Sequence, residues 1–178
     1  MSKRKYSQSE DDGDGPDVRR ASDRFPRLLE ILSGNNNASD ALYWSANAGD
    51  LLECQTLLAM GADINHNVNP EYNHTPLHTA SLNGRTPIVK LLIENRALVN
   101  VTNNIGFTPL HAAAQGGHLD IARLLVNSGA RTDATQIQGA IPIHLAATCN
   151  RHKILTYLVT EAGVSVNVVS TATTVCSI

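Results

Sequence analysis

The string Thr75-Pro76-Leu77-His78-Thr79-Ala80 returns as Thr108-Pro109-Leu110-His111-Ala112-Ala113, and again, altered, as Ile141-Pro142-Ile143-His144-Leu145-Ala146. Both steps are 33 residues. A hexamer repeated at one interval means that the chain is built from a copied unit. A unit of that size holds two short helices and a turn, too little to bury its own apolar face. Successive copies must therefore stack on one another, each touching only its neighbours.

The unit's interior reads as helix-turn-helix. Thr75 stands where a helix N-cap is needed, and Pro76 follows at the first helical position, where its missing N–H costs nothing. Asn83-Gly84 ends that helix, since Gly accepts the left-handed conformation a C-terminal cap needs. Thr86-Pro87 is expected to open a second helix, with Ile88, Leu91 and Leu92 forming one apolar stripe. The next unit copies this, with Gly117-His118 opening Leu119–Leu125. Leu77, Leu110 and Ile143 are expected in the core.

The hexamer at this period resembles the ankyrin-repeat family. The resemblance runs from about residue 39 to residue 167 and implies an all-α solenoid of stacked helix-turn-helix units with hairpin fingers. Four repeats are expected, at about 39–69, 70–104, 105–137 and 138–167. The first diverges, with Asp40-Ala41-Leu42-Tyr43 in place of Thr-Pro-Leu-His and Asp40 in the capping role, as suits a terminal unit. The link from Asn65 to Thr75 is ten residues, against eight from Asn100 to Thr108 and from Asp133 to Ile141, so the first finger is longer. In the fourth repeat Ile141 replaces the capping Thr and Asn150 the helix-ending Gly, so this repeat is expected to be the least stable. A further unit should follow Asn167. The β-branched segment 168–178 reads instead as the remnant of one, or a tail, as if the sequence were cut from a longer array.

The flanking segments differ in kind. Residues 1–24 hold six of the fourteen Lys and Arg and six of the sixteen acids, and read as a disordered charged tail. Residues 25–38 read as one short helix over Phe25–Leu32 and a linker. Within the tail, Arg19-Arg20-Ala21-Ser22 and Ser9-Glu10-Asp11-Asp12 resemble kinase sites, making Ser9 and Ser22 candidate phosphorylation positions.

Composition excludes several function classes. A net charge of −2, a pI near 6.4 and 4 % aromatic residues give neither the basic patch nor the stacking platform of a nucleic-acid binder. No apolar run is long enough to span a membrane, and the N-terminus lacks the apolar core of a secretory signal. The odd, scattered Cys54, Cys149 and Cys176 suggest neither a disulfide framework nor a zinc site. A cytoplasmic protein is expected, with Lys3-Arg4-Lys5 and Arg19-Arg20 a faint nuclear-import pattern.

No catalytic constellation stands out. Cys149 and His152 lack a third residue to orient them, Asp11–Asp17 lacks the closing Glu of a calcium loop, and no Gly-rich phosphate loop follows a strand. His78, His111 and His144 fall one per layer, roughly 10 Å apart at ordinary helix spacing, whereas zinc needs ligands at about 2 Å. The resemblance implies that these imidazoles bond to backbone and to the capping Thr, tying repeats together. It implies neither cofactor nor metal.

What the resemblance does imply is a protein partner, held along the concave face and fingers of a chain that is monomeric on its own. Carried over by position, the contact residues are Tyr72, His74, Asn104, Ile105, Phe107, Gln115, Ile137 and Gln138. Glu71, Thr102, Thr135, Leu82, Asn83, Thr148 and Cys149 lie on the same surface. Tyr72, Ile105 and Phe107 stand out because an aromatic or large apolar side chain on a turn dominates interface energetics. The alternative is that each packs over the neighbouring finger. The expected function is a non-catalytic adaptor or inhibitor. A targeting subunit of an enzyme complex is the alternative.

Overall fold

Among the described residues eight helices follow one another in four pairs. They are α1 (Ala38–Ala48), α2 (Leu51–Ala59), α3 (Pro76–Leu82), α4 (Thr86–Glu94), α5 (Pro109–Gly116), α6 (Leu119–Asn127), α7 (Pro142–Thr148) and α8 (His152–Thr160). This computed structural model describes residues 37–68 and 72–164, all within one unit spanning residues 36–178. The charged tail with Ser9 and Ser22, the helix expected over 25–32, Glu71 and the segment 168–178 lie outside the described residues.

The odd-numbered helices pack on one another in sequence, and the even-numbered helices form a second, looser row behind them. The family resemblance assigns the concave side to this first row. Each layer contributes the same core positions. Leu42, Leu77, Leu110 and Ile143 form one file and Leu57, Leu92, Leu125 and Leu158 another, none more than 7 % exposed. The stripe of a short helix is thus covered by its own partner and by both neighbouring layers, as stacking requires.

Local chemistry explains the helix starts. Thr108 is extended (φ −103°, ψ 166°), its hydroxyl accepts from the His111 N–H, and Pro109 follows. Thr75 and Pro76 repeat this backbone. Two expectations shift. The first helix is capped by Asn37, whose Oδ1 accepts from the Ser39 N–H at 3.0 Å. Asp40, expected as the cap, lies in the first turn and meets His66 Nε2 at 2.7 Å. Arg85 rather than Thr86 caps α4, with Thr86 already helical. In the fourth repeat Ile141 is buried but has no oxygen with which to cap, so only the reverse bond survives, from the Ile141 N–H to His144 Nδ1 at 3.1 Å. Asn150 nevertheless takes the left-handed conformation of the glycine it replaces (φ +58°), which Asn tolerates better than most residues.

Candidate functional site

The fingers are tight turns held by asparagine and by backbone. Asn103 is 5 % exposed, and its Oδ1 accepts from the N–H groups of Ile105 (3.0 Å) and Phe107 (2.8 Å). Its own N–H donates to the Phe107 carbonyl, and Gly106 N–H to the Asn103 carbonyl. Gln136, Gly139 and Ala140 repeat these backbone bonds in the next layer. Gly106 is at φ +75°, and a Cβ there would lie 3.1 Å from the Gln136 Cα and the Thr135 oxygen, so the next finger presses directly on it.

Neighbouring fingers are joined backbone to backbone. Asn104 N–H donates to the Tyr72 carbonyl (3.3 Å), and Ile137 N–H to the Ile105 carbonyl (2.8 Å). The row so formed exposes Tyr72 (56 %), Ile105 (45 %) and Ile137 (74 %). Asn104 and Gln138 are exposed beside them, and Gln115 is exposed on α5. Six of the eight expected contact residues thus lie at the surface.

The other two belong largely to the stack. Phe107, expected as a contact residue, is only 7 % exposed. Its ring stacks on His111 (centroids 5.3 Å) and lies 6.2 Å from His74. A turn residue can find a core after all, because the fingers pile up and cover it. His74 is half-buried between Tyr72 (6.2 Å) and His78 (5.2 Å, rings 9° from parallel).

The hexamer histidines tie each layer to the next. His78 Nδ1 accepts from the Thr75 N–H (3.2 Å) and hydroxyl (2.9 Å), so the proton sits on Nε2, which donates to the Phe107 carbonyl (2.9 Å). His111 does the same with Thr108 and the Ala140 carbonyl, at 3.1, 2.8 and 3.2 Å. Burial holds both imidazoles down at about 4, well below the ordinary histidine value. It lowers His74 as well. Among the described residues no group of three or more His, Cys, Asp or Glu could hold a metal ion. Burial also pushes the Cys54 thiol up to about 12, so it is an inert core thiol.

Sequence reasoning missed two sets of residues and the joining role of a third. Arg85, His118 and Arg151 reach backward, donating to the carbonyls of Asn47 (3.3 Å), Leu82 (3.0 Å) and Gln115 (3.1 Å) at the end of the preceding odd-numbered helix. Their 33-residue spacing was the available signal, obscured by the change of residue type. Asn65 and Asn100 join successive turns, their Oδ1 atoms accepting from the Leu98 N–H (2.9 Å) and Arg131 N–H (2.8 Å). Trp44, the chain's single tryptophan, is 49 % exposed on α1, edge-on to Tyr43 at 5.1 Å. Nearby, Asn47 Oδ1 accepts from Thr79 Oγ1 (2.9 Å) and Asn83 Nδ2 (2.7 Å). No helix among the described residues is long and apolar enough to cross a membrane.

Comparison with known proteins agrees with this architecture. The family model described as ankyrin repeats (3 copies) matches residues 20–103 and 96–170. Over 71 residues, 37 % of this chain, the sequence is 37 % identical to the ankyrin repeat domain-containing protein SOWAHB of Homo sapiens. Over 69 residues, 39 % of this chain, it is 36 % identical to the palmitoyltransferase AKR1 of Lachancea kluyveri. The match spans 9 % of the length of each of these relatives. Ankyrin repeats generally mediate protein–protein interaction, and the chain belongs to the ankyrin-repeat family.

Proposed function

We propose that the chain is a non-catalytic scaffold, an adaptor or inhibitor, that grips a partner protein along the finger row and the adjoining concave face. The observation that carries this reading is the line of Tyr72, Ile105 and Ile137, three large apolar side chains on consecutive fingers at 45–74 % exposure. Fingers bonded backbone to backbone hold these side chains in place before any partner arrives, which limits the ordering cost of binding. Asn104, Gln138 and Gln115 supply a polar border, and His74 supports Tyr72 from beneath. Tyr72 is the aromatic side chain in this line, a type that dominates interface energetics.

The test is affinity capture with the full chain against a Tyr72→Ser, Ile105→Ser, Ile137→Ser variant. Proteins enriched by the original chain should fall at least tenfold with the variant, while thermal unfolding stays within about 2 °C, as expected for exposed positions. Undiminished capture by a folded variant would show that the row is not the contact surface. A second reading, a targeting segment of an enzyme assembly, is favoured by the similarity to a short stretch of a much longer palmitoyltransferase. It expects a catalytic chain among the captured proteins.

A further inference from the structure

Five rings run in a chain from the finger row into the stack. Tyr72 lies 6.2 Å from His74, and His74 lies 5.2 Å from His78 and 6.2 Å from Phe107. Phe107 in turn lies 5.3 Å from His111. Three of the five can take up a proton. For His78 and His111 the hydrogen bonds leave no room for one. Nδ1 of each already accepts from the N–H and the hydroxyl of its own capping Thr, while Nε2 donates to the next layer's carbonyl. A proton on Nδ1 would face the backbone N–H of the capping Thr, donor against donor, and remove the reverse bond of the capping box at the start of α3 or α5.

Among the described residues no acid stands by to compensate. Against His78 pack α1, with Asp40 held by His66 and with Tyr43, and α4, with Arg85 at its cap and Lys90 and Glu94 exposed and paired with each other. The third neighbour is α5, with His111. Against His111 pack α3 with His78, α7 with His144, and α6 with Asp120 and with Arg123, which is paired to Glu161. His118 caps α6, and the finger at 134–140 carries no charge. The charges that bear on His78 are those of His74 and His111, and both oppose its protonation. A second and third proton in this column are therefore harder to place than the first while the stack stays closed, and easy to place once it opens.

We propose that His74, His78 and His111 form an acid-sensitive release for the finger row, holding the second, third and fourth repeats together when neutral and parting them on acidification. This regulates the surface assigned above to the partner and rests on that assignment. The row is bonded to the column at both ends. Tyr72 packs on His74, and the Phe107 and Ala140 carbonyls that accept from the imidazoles close the two finger turns. Parting the layers withdraws the Nε2–H donors from those carbonyls and loosens the turns that present Ile105 and Ile137.

Hydrogen exchange of the full chain tests this without any partner. The readouts are the Asn104 and Ile137 amides, which bridge the fingers, with the Leu57 amide of α2 as the reference. Corrected for intrinsic exchange, protection at Asn104 and Ile137 should fall steeply between about pH 7 and about pH 4.5, each proton taken up adding a factor of about ten per pH unit. Three coupled histidines set a limit near a thousandfold per unit at the steepest point. His74→Phe, which keeps a ring in the stack, and His74→Gln, which keeps a polar group, should each lower that limit to about a hundredfold. Flat protection at Asn104, an unchanged slope in both variants, or parallel loss at Leu57 would overturn the proposal. Since no partner is present, these outcomes are independent of whether the finger row binds one, which the serine variant tests at neutral pH.

Discussion

The backward ties give the sharpest test of how the layers are held. Gly84 sits at φ +72°, and a Cβ there would lie 2.5–3.0 Å from three atoms of the His118 ring. That ring is fixed by its bond to the Leu82 carbonyl. Gly129 has a similar backbone (φ +88°) with nothing within 4 Å of the same added atom. Alanine at Gly129 should therefore cost about 1 kcal/mol, the left-handed conformation alone. Alanine at Gly84 carries the same cost and also displaces His118, whose hydrogen bond is worth about 1 kcal/mol, for roughly 2 kcal/mol in all. With His118→Ala already in place the clash is gone, so the Gly84→Ala, His118→Ala pair should fall about 1 kcal/mol short of the sum of its parts. Urea titration at neutral pH, followed by circular dichroism and by Trp44 fluorescence, measures all four variants. Equal costs at Gly84 and Gly129 within about 0.5 kcal/mol, or strict additivity of the pair, would refute the tie between layers.

Other positions are as accessible. Leu110→Ala, at a fully buried site, should destabilise by about 2–5 kcal/mol, and a loss under about 1 kcal/mol would contradict the shared core. Arg96 adopts φ +65° at the turn where Gly61, Gly129 and Gly163 stand in the other repeats. Arg96→Gly should raise stability by about 0.5–1 kcal/mol in the same titration. The buried histidines set a pH dependence of definite sign. Their folded values near 4 lie below the unfolded value near 6.5, so folding binds fewer protons. The stability they contribute is complete above about pH 6.5 and is lost as pH falls through about 4, by a few kcal/mol each at most. Urea midpoints that rise on acidification would contradict this.

Much of this architecture was written in short strings. Thr-Pro marks where the concave-row helices begin in the second and third repeats, because a cap and an N1 proline act within one turn. The role of His78 and His111 as ties followed from the family resemblance, and the structure supplies their acceptors. What escaped depends on neighbouring layers. Phe107 looks exposed in any local reading of Ile105-Gly106-Phe107, and only the finger stacked on it makes it core. Asp40 looks like a cap until His66, in the next turn of chain, engages it and Asn37 takes the cap. The set Arg85, His118 and Arg151 has no shared residue type, only a shared need for a donor over a helix end and for a small residue at Gly49, Gly84 and Gly117 beneath it. Trp44 falls in register with Thr79, which the stack buries, and its exposure at 49 % came only with the structure.

Site-directed photo-crosslinking tests the central claim most directly. A photoreactive phenylalanine analogue would be placed singly at Tyr72, Ile105 and Ile137 on the fingers. For comparison it would be placed at Leu52, Leu98 and Val159, which are also exposed and apolar but lie outside the row. The expected result is one partner protein crosslinked from all three finger positions and from none of the others. Crosslinking confined to Leu52, Leu98 or Val159, or equal from all six positions, would contradict a partner gripped by the finger row.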